Sequence, residues 1–178
     1  LASIERNTAM SDFDKICKEY GKARVDSLVK IKETKNWEDH WPENKNEYPF
    51  NLGPCWKQCV EYYVDDFEAE VGFFVDMMGL FTNAFDDNYA MLMSPEKEFY
   101  FSFWKADKDK KATPPGAIKL CFLDSKIKNL KETLEGRGVP FTNNIEPLSE
   151  GSPMYRGECV SPNGTIVEIW GMEEEEGE

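Results

Sequence analysis

Hydrophobic and polar positions alternate clearly over Trp56 to Val64, with Val60, Tyr62 and Val64 on one side and Cys59, Glu61 and Tyr63 on the other. A two-residue period predicts a strand with one buried face. Asp65 and Asp66 follow as helix caps, and Phe67, Val71, Phe74, Val75 and Met78 recur at helical spacing until Gly79 closes the helix. The same order returns later. Ala117 to Leu123 alternates, with Ile118, Leu120 and Phe122 on one side and Ala117, Lys119 and Cys121 on the other. Asp124 then opens a helix carrying Ile127, Leu130 and Leu134, which ends in Gly136-Arg137-Gly138.

A turn followed by a strand is also repeated. Ser94-Pro95-Glu96-Lys97 precedes Phe99 to Trp104, and Ser161-Pro162-Asn163-Gly164 precedes Thr165 to Trp170. Corresponding positions are separated by 58 residues at Asp66/Asp124, 59 at Gly79/Gly138 and 67 at Pro95/Pro162. A nearly constant offset is the mark of an internal duplication with small loop insertions in the second copy. Each copy reads as strand, helix and three further strands. The 67-residue offset aligns Phe101 with Glu168 and Phe103 with Trp170. The apolar face of each first strand is expected to meet its helix, which leaves the mixed face to line a cavity.

The first 55 residues have another character. Ser11 and Asp14 make a capping pattern, and Phe13, Ile16, Cys17, Tyr20, Leu28 and Ile31 form one apolar stripe of a helix reaching about Glu33. Asn36 to Pro54 has three prolines, two tryptophans and no period, and reads as an extended strap. The expected organisation is therefore a helix and strap over 1–55, modules over 56–104 and 117–172 within one domain of 56–172, and an acidic tail over 173–178. The fold class is α+β.

Net charge is −13 and no basic stripe is present, which disfavours nucleic acid and anionic membranes as partners. No apolar run approaches membrane-spanning length and no signal-like segment stands out, so the expectation is a soluble protein of the cytoplasm or an organelle lumen. Five scattered cysteines and a single histidine, His40, fit reduced thiols better than a disulfide or zinc framework.

Tyr62 to Leu80 (YYVDDFEAEVGFFVDMMGL), the LEGRGV of Leu134 to Val139 and the SPNGTIVEIWG of Ser161 to Gly171 resemble the vicinal oxygen chelate superfamily. That superfamily includes glyoxalases, bleomycin-resistance proteins and extradiol dioxygenases. The resemblance covers Trp56 to about Met172 and implies two βαβββ modules forming a curved, cup-shaped sheet. In metal-dependent members it implies four ligands, one from the first and one from the last strand of each module, holding a divalent ion that polarises substrate oxygens. The corresponding positions are Cys59, Ala117, Phe101 and Glu168, two of which have no donor atom. No metal and no cofactor is therefore expected.

Residues expected to converge on the cavity are Cys59, Glu61, Tyr63, Phe101, Phe103, Lys119, Cys121, Glu168 and Trp170, with Glu61 and Lys119 as a candidate pair across the pseudo-twofold axis. An aromatic-walled cleft with a few charges suits a small organic ligand bound without metal. Three other readings stay open. The side chains fill a cup that has lost its ligand; the chain is a non-catalytic subunit docked to a larger assembly through residues 1–55; or it is a metal-dependent lyase or dioxygenase with ligands from other positions. A catalytic cysteine at Cys59 or Cys121 lacks a neighbouring histidine base. The resemblance also implies a homodimer.

Overall fold

The computed structural model describes Cys59 to Met172, together with Pro49 and the helical residues 15, 16, 18, 19 and 21–24. The chain divides into two units, Leu1–Phe50 and Asn51–Glu178. In the first, the described residues fall inside the expected helix, where Ile16 is exposed. The strap apart from Pro49, the remainder of that helix and the acidic tail lie outside the described residues.

In the second unit, β1 (Val60–Val64) leads into α1 (Phe67–Val71). The Asp66 carboxylate accepts a hydrogen bond from the Ala69 N–H at 3.1 Å, which satisfies one of the orphan donors at the helix start. The helix then widens into a π-helical stretch over Gly72–Met77 before Gly79 turns with φ 82°. The wider turn lets the consecutive Phe73 and Phe74 both point inward, in edge-to-face contact at 4.9 Å. Three strands follow: β2 (Phe81–Phe85), β3 (Tyr89–Met93) and β4 (Tyr100–Lys105).

The second module repeats the plan with β5 (Lys119–Asp124), α2 (Ile127–Gly136), β6 (Glu146–Pro147), β7 (Met154–Val160) and β8 (Ile166–Met172). Each module builds a four-stranded sheet of the same topology, ordered β1-β4-β3-β2 and β5-β8-β7-β6. First and last strands pair in parallel, and the rest pair antiparallel. The duplication read from the sequence is thus a duplication of architecture. One detail differs: Asp124 ends β5 and its carboxylate accepts from the Lys126 N–H at 2.6 Å, so it braces the turn before α2 and is not the residue that caps it.

One core runs through both modules. Phe74, Leu92, Phe103, Ile127, Leu134, Val167 and Ile169 are all essentially inaccessible to water. Phe99 of the first module meets Phe122 of the second edge to face at 5.3 Å. α2 lies so close to β8 that a Cβ on Gly171 would stand 2.6 Å from both the Asp124 carbonyl oxygen and the Ile127 Cβ.

The modules are also clasped by polar groups. The Asn163 side chain accepts from the Asp66 N–H at 2.9 Å and donates to the Asp66 carbonyl at 2.8 Å, acting as a strand edge would. It also donates to Oε2 of Glu70 at 3.0 Å. Oε1 of Glu70 accepts from Tyr62 Oη at 3.0 Å and Thr165 Oγ1 at 2.8 Å. Glu70 is 0% exposed, so these donors replace its water. Burial and the neighbouring Glu70 charge push the Tyr62 hydroxyl well above its ordinary value.

Candidate functional site

In the first strand Tyr62 and Val64 are buried, while Val60 of the same side is exposed, and Glu61 and Tyr63 lie on the opposite face. The last strand of the first module does not behave as expected. In β4 the parallel register pairs Val60 with Phe101 and Tyr62 with Phe103, which puts both phenylalanines on the helix side. Phe101 packs edge to face on Phe74 at 4.9 Å, and Phe103 is fully buried. They belong to the core and do not reach the mixed face.

The physical reason is a slip of one residue. The turns do match at an offset of 67: Ser94 Oγ and Ser161 Oγ each accept from the N–H four residues on, and Lys97 and Gly164 both have positive φ. Between turn and strand the first module carries one residue more, so Glu168 corresponds to Ser102 and Trp170 to Trp104, an offset of 66. Because side chains alternate along a strand, a slip of one exchanges its two faces.

With that correction the mixed faces carry two groups of side chains. On the first sheet, Oε1 of Glu61 accepts from Ser102 Oγ at 2.9 Å and Tyr89 Oη at 3.4 Å. Cys59 Sγ lies 3.5 Å from the same Ser102 hydroxyl. The Tyr89 and Trp104 rings pack at 4.4 Å between centroids, and Tyr63 pairs with Trp104 across the strands. Burial is the main cause that raises the Tyr89 hydroxyl above its ordinary value, and the Glu61 charge adds to it.

On the second sheet Glu168 is the centre. Oε1 accepts from Lys119 Nζ at 3.0 Å, while Oε2 accepts from Trp170 Nε1 at 2.8 Å and from Cys121 Sγ at 3.6 Å. Glu158 adds a second carboxylate 3.7 Å from Lys119. Burial acts to raise the Glu168 carboxyl, but the Trp170 and Lys119 hydrogen bonds outweigh it and hold the group below the usual carboxylate range. Lys119 is correspondingly raised by its bond to Glu168. Cys121 is raised by burial and by Glu168.

No hydrogen bond or ion pair joins the two groups among the described residues. Glu61 therefore bonds within the first sheet and Lys119 within the second, and the expected Glu61–Lys119 pair does not form. Ser102, Tyr89, Trp104 and Glu158 were not anticipated. The alternation of Tyr100, Ser102 and Trp104 with Phe101 and Phe103 separates the two faces of β4 but does not say which of them points inward. A crevice of about 10 Å³, room for roughly one water, lies elsewhere, at the clasp, between Tyr63, Thr113, Pro114, Asn163 and Thr165. It is smaller than the roughly 300–1,000 Å³ of pockets that engulf drug-sized ligands.

The corrected register changes the test of a metal site. The last-strand position in the first module is Ser102, a donor, so the count of positions without lone pairs no longer decides the matter. The environment does. Both Glu168 oxygens already face an ammonium and an indole N–H, and no group of three or more His, Cys, Asp or Glu close enough to share an ion occurs among the described residues. A divalent ion at Glu168 would have to displace Lys119.

No protein-family model matches the sequence, and no curated protein sequence matches it significantly. Solved structures do match the fold. A glyoxalase/bleomycin resistance protein/dioxygenase from Nocardioides is similar over 72% of this chain and 91% of its own, with 16% identity and a TM-score of 0.53. The lactoylglutathione lyase of Agrobacterium tumefaciens is similar over 67% and 95%, with 17% identity and a TM-score of 0.52. TnmS3, an antibiotic binding protein from Streptomyces sp. CB03234, is similar over 65% and 94%, with 17% identity and a TM-score of 0.50. The chain has the two-module fold of the glyoxalase, bleomycin-resistance and dioxygenase proteins, the vicinal oxygen chelate fold. No helix among the described residues is long and apolar enough to cross a membrane.

Proposed function

We propose that this glyoxalase-like domain binds a small organic ligand on the mixed faces of its sheets without metal catalysis. The observation that carries the reading is the occupation of Glu168. In the place where the fold's metal-dependent members present a ligand, the carboxylate holds the chain's own cation, Lys119, and the Trp170 N–H. Lewis-acid chemistry at this position would first have to displace that cation. What remains on these faces is suited to binding: Trp104 is 37% exposed and Trp170 is half-buried, each beside hydrogen-bonding groups. The similarity of the fold to that of an antibiotic binding protein supports the reading.

The test combines metal analysis with a ligand screen. Elemental analysis of the dialysed protein should find less than one divalent ion per chain, and zinc or nickel should leave its thermal midpoint unchanged. A library of small aromatic and amphipathic compounds should contain members that raise the midpoint with concentration, as binding to the folded state requires. One metal per chain that is lost on Glu168→Ala would overturn the reading.

A further inference from the structure

The carboxylates of the two mixed faces are balanced differently. On the second sheet Glu168 is neutralised by Lys119 at 3.0 Å. On the first, Glu61 is exposed, and among the described residues only its Oε1 is engaged, by two neutral hydroxyls. Among the described residues no cation lies within ion-pair distance of Glu61, and its Oε2 has no protein donor.

Aromatic residues share the sheet face with that unbalanced charge. Tyr63 stands two residues along the same strand, Trp104 pairs with it in register, and the Tyr89 ring packs on Trp104 at 4.4 Å. The faces of such rings attract cations, most strongly those too poorly hydrated to prefer water. The chain already illustrates this: the Lys110 ammonium lies 6.0 Å from the centre of the Tyr63 ring. That lysine is on the exposed loop after β4, tied to no carboxylate among the described residues, and an incoming cation can replace it.

We infer that the mixed face of the first sheet is a subsite for an organic cation, an alkylated ammonium attached to an apolar or aromatic body. Glu61 supplies the charge, Trp104 and Tyr63 supply ring faces, and the Ser102 and Tyr89 hydroxyls hold the carboxylate in place. A small hydrated metal ion would find one free carboxylate oxygen and no further anionic donor, whereas a quaternary ammonium needs only charge and ring surface. An anionic ligand would meet Glu61 and a net charge of −13. The inference rests on the ligand-binding reading and narrows it to one face and one charge.

The probe is benzyltrimethylammonium, titrated into the full chain by calorimetry at low salt, with benzenesulfonate as its anionic counterpart. The ammonium should bind and the sulfonate should bind at least tenfold more weakly. Glu61→Gln, which keeps an acceptor for Ser102, and Trp104→Leu should each weaken the ammonium by about tenfold, the scale of one desolvated cation–ring or ion-pair contact. Glu132→Gln, an exposed carboxylate of α2 outside both mixed faces, should leave it within twofold. Circular dichroism of each variant establishes that it is folded. Equal binding of the sulfonate, or ammonium affinity unchanged in both Glu61→Gln and Trp104→Leu, overturns the inference. Neutral or anionic aromatics that bind and are lost only with Trp170→Leu would also overturn it while leaving the broader reading intact.

Discussion

Glu70→Gln is the most informative single change, because it keeps shape and burial and alters only which atoms accept. Oε1 of Glu70 takes hydrogen bonds from Tyr62 and Thr165, and Oε2 takes one from Asn163. Glutamine that keeps its carbonyl oxygen at the Oε1 position, where it still accepts from both hydroxyls, directs its NH₂ at the Asn163 NH₂; the opposite orientation requires both hydroxyl donors to turn into acceptors. Two donors then face each other beside a side chain that is itself fully buried. Asn163 cannot turn over to relieve this, since its oxygen accepts from the Asp66 N–H and its NH₂ donates to the Asp66 carbonyl. One charge-assisted hydrogen bond is lost and a buried donor is left unpaired, so the cost is on the order of 2–4 kcal/mol. The assay is urea unfolding followed by circular dichroism. A double-mutant cycle with Asn163→Ala isolates the cause, because without the Asn163 amide the NH₂ of the introduced glutamine no longer meets a donor. Glu70→Gln should therefore cost at least about 1 kcal/mol less in that background. A single-mutant cost below about 0.5 kcal/mol, or an equal cost in both backgrounds, would refute the geometry of the clasp.

Three further outcomes are expected. Gly171→Ala should destabilise by about 1–3 kcal/mol in the same urea assay, because its Cβ would press on the Asp124 carbonyl and the Ile127 side chain at 2.6 Å. The lowered Glu168 carboxyl contributes stability that is present above the unfolded carboxyl's pKa and is lost as pH falls through the folded one, so Lys119→Met should flatten the acid limb of urea midpoints measured from about pH 3 to 7. The Cys121 thiol, raised by burial and by Glu168, should react slowly with iodoacetamide at about pH 8, and Glu168→Gln should accelerate it; a rate unchanged by that substitution would show that the carboxylate does not control the thiol.

Much of the fold was legible because its signals are local. The two-residue alternation of Val60 to Val64 and Lys119 to Asp124, the Asp66 cap and the Gly79 and Gly138 turns are properties of neighbouring residues, and their repetition at similar offsets revealed the duplication. The second-sheet group was also legible, since Lys119, Cys121, Glu168 and Trp170 share one face by alternation alone. Which face of β4 points inward was not, because a single residue between turn and strand reverses it and no local pattern counts that residue. Phe101 and Phe103 look equally suited to a ligand cleft or a core; the parallel pairing with β1 assigned them to the core and placed Ser102 and Trp104 on the mixed face instead. Glu70 shows the same limit. In sequence it is one acid on a charged helix face, and Asn163 is a turn residue 93 positions away; only packing of the two modules removed the acid from water and supplied Asn163, Thr165 and Tyr62 as its donors. Local sequence determined the elements and their repetition, whereas tertiary structure determined burial and partnership, because those depend on chain segments that meet only after folding.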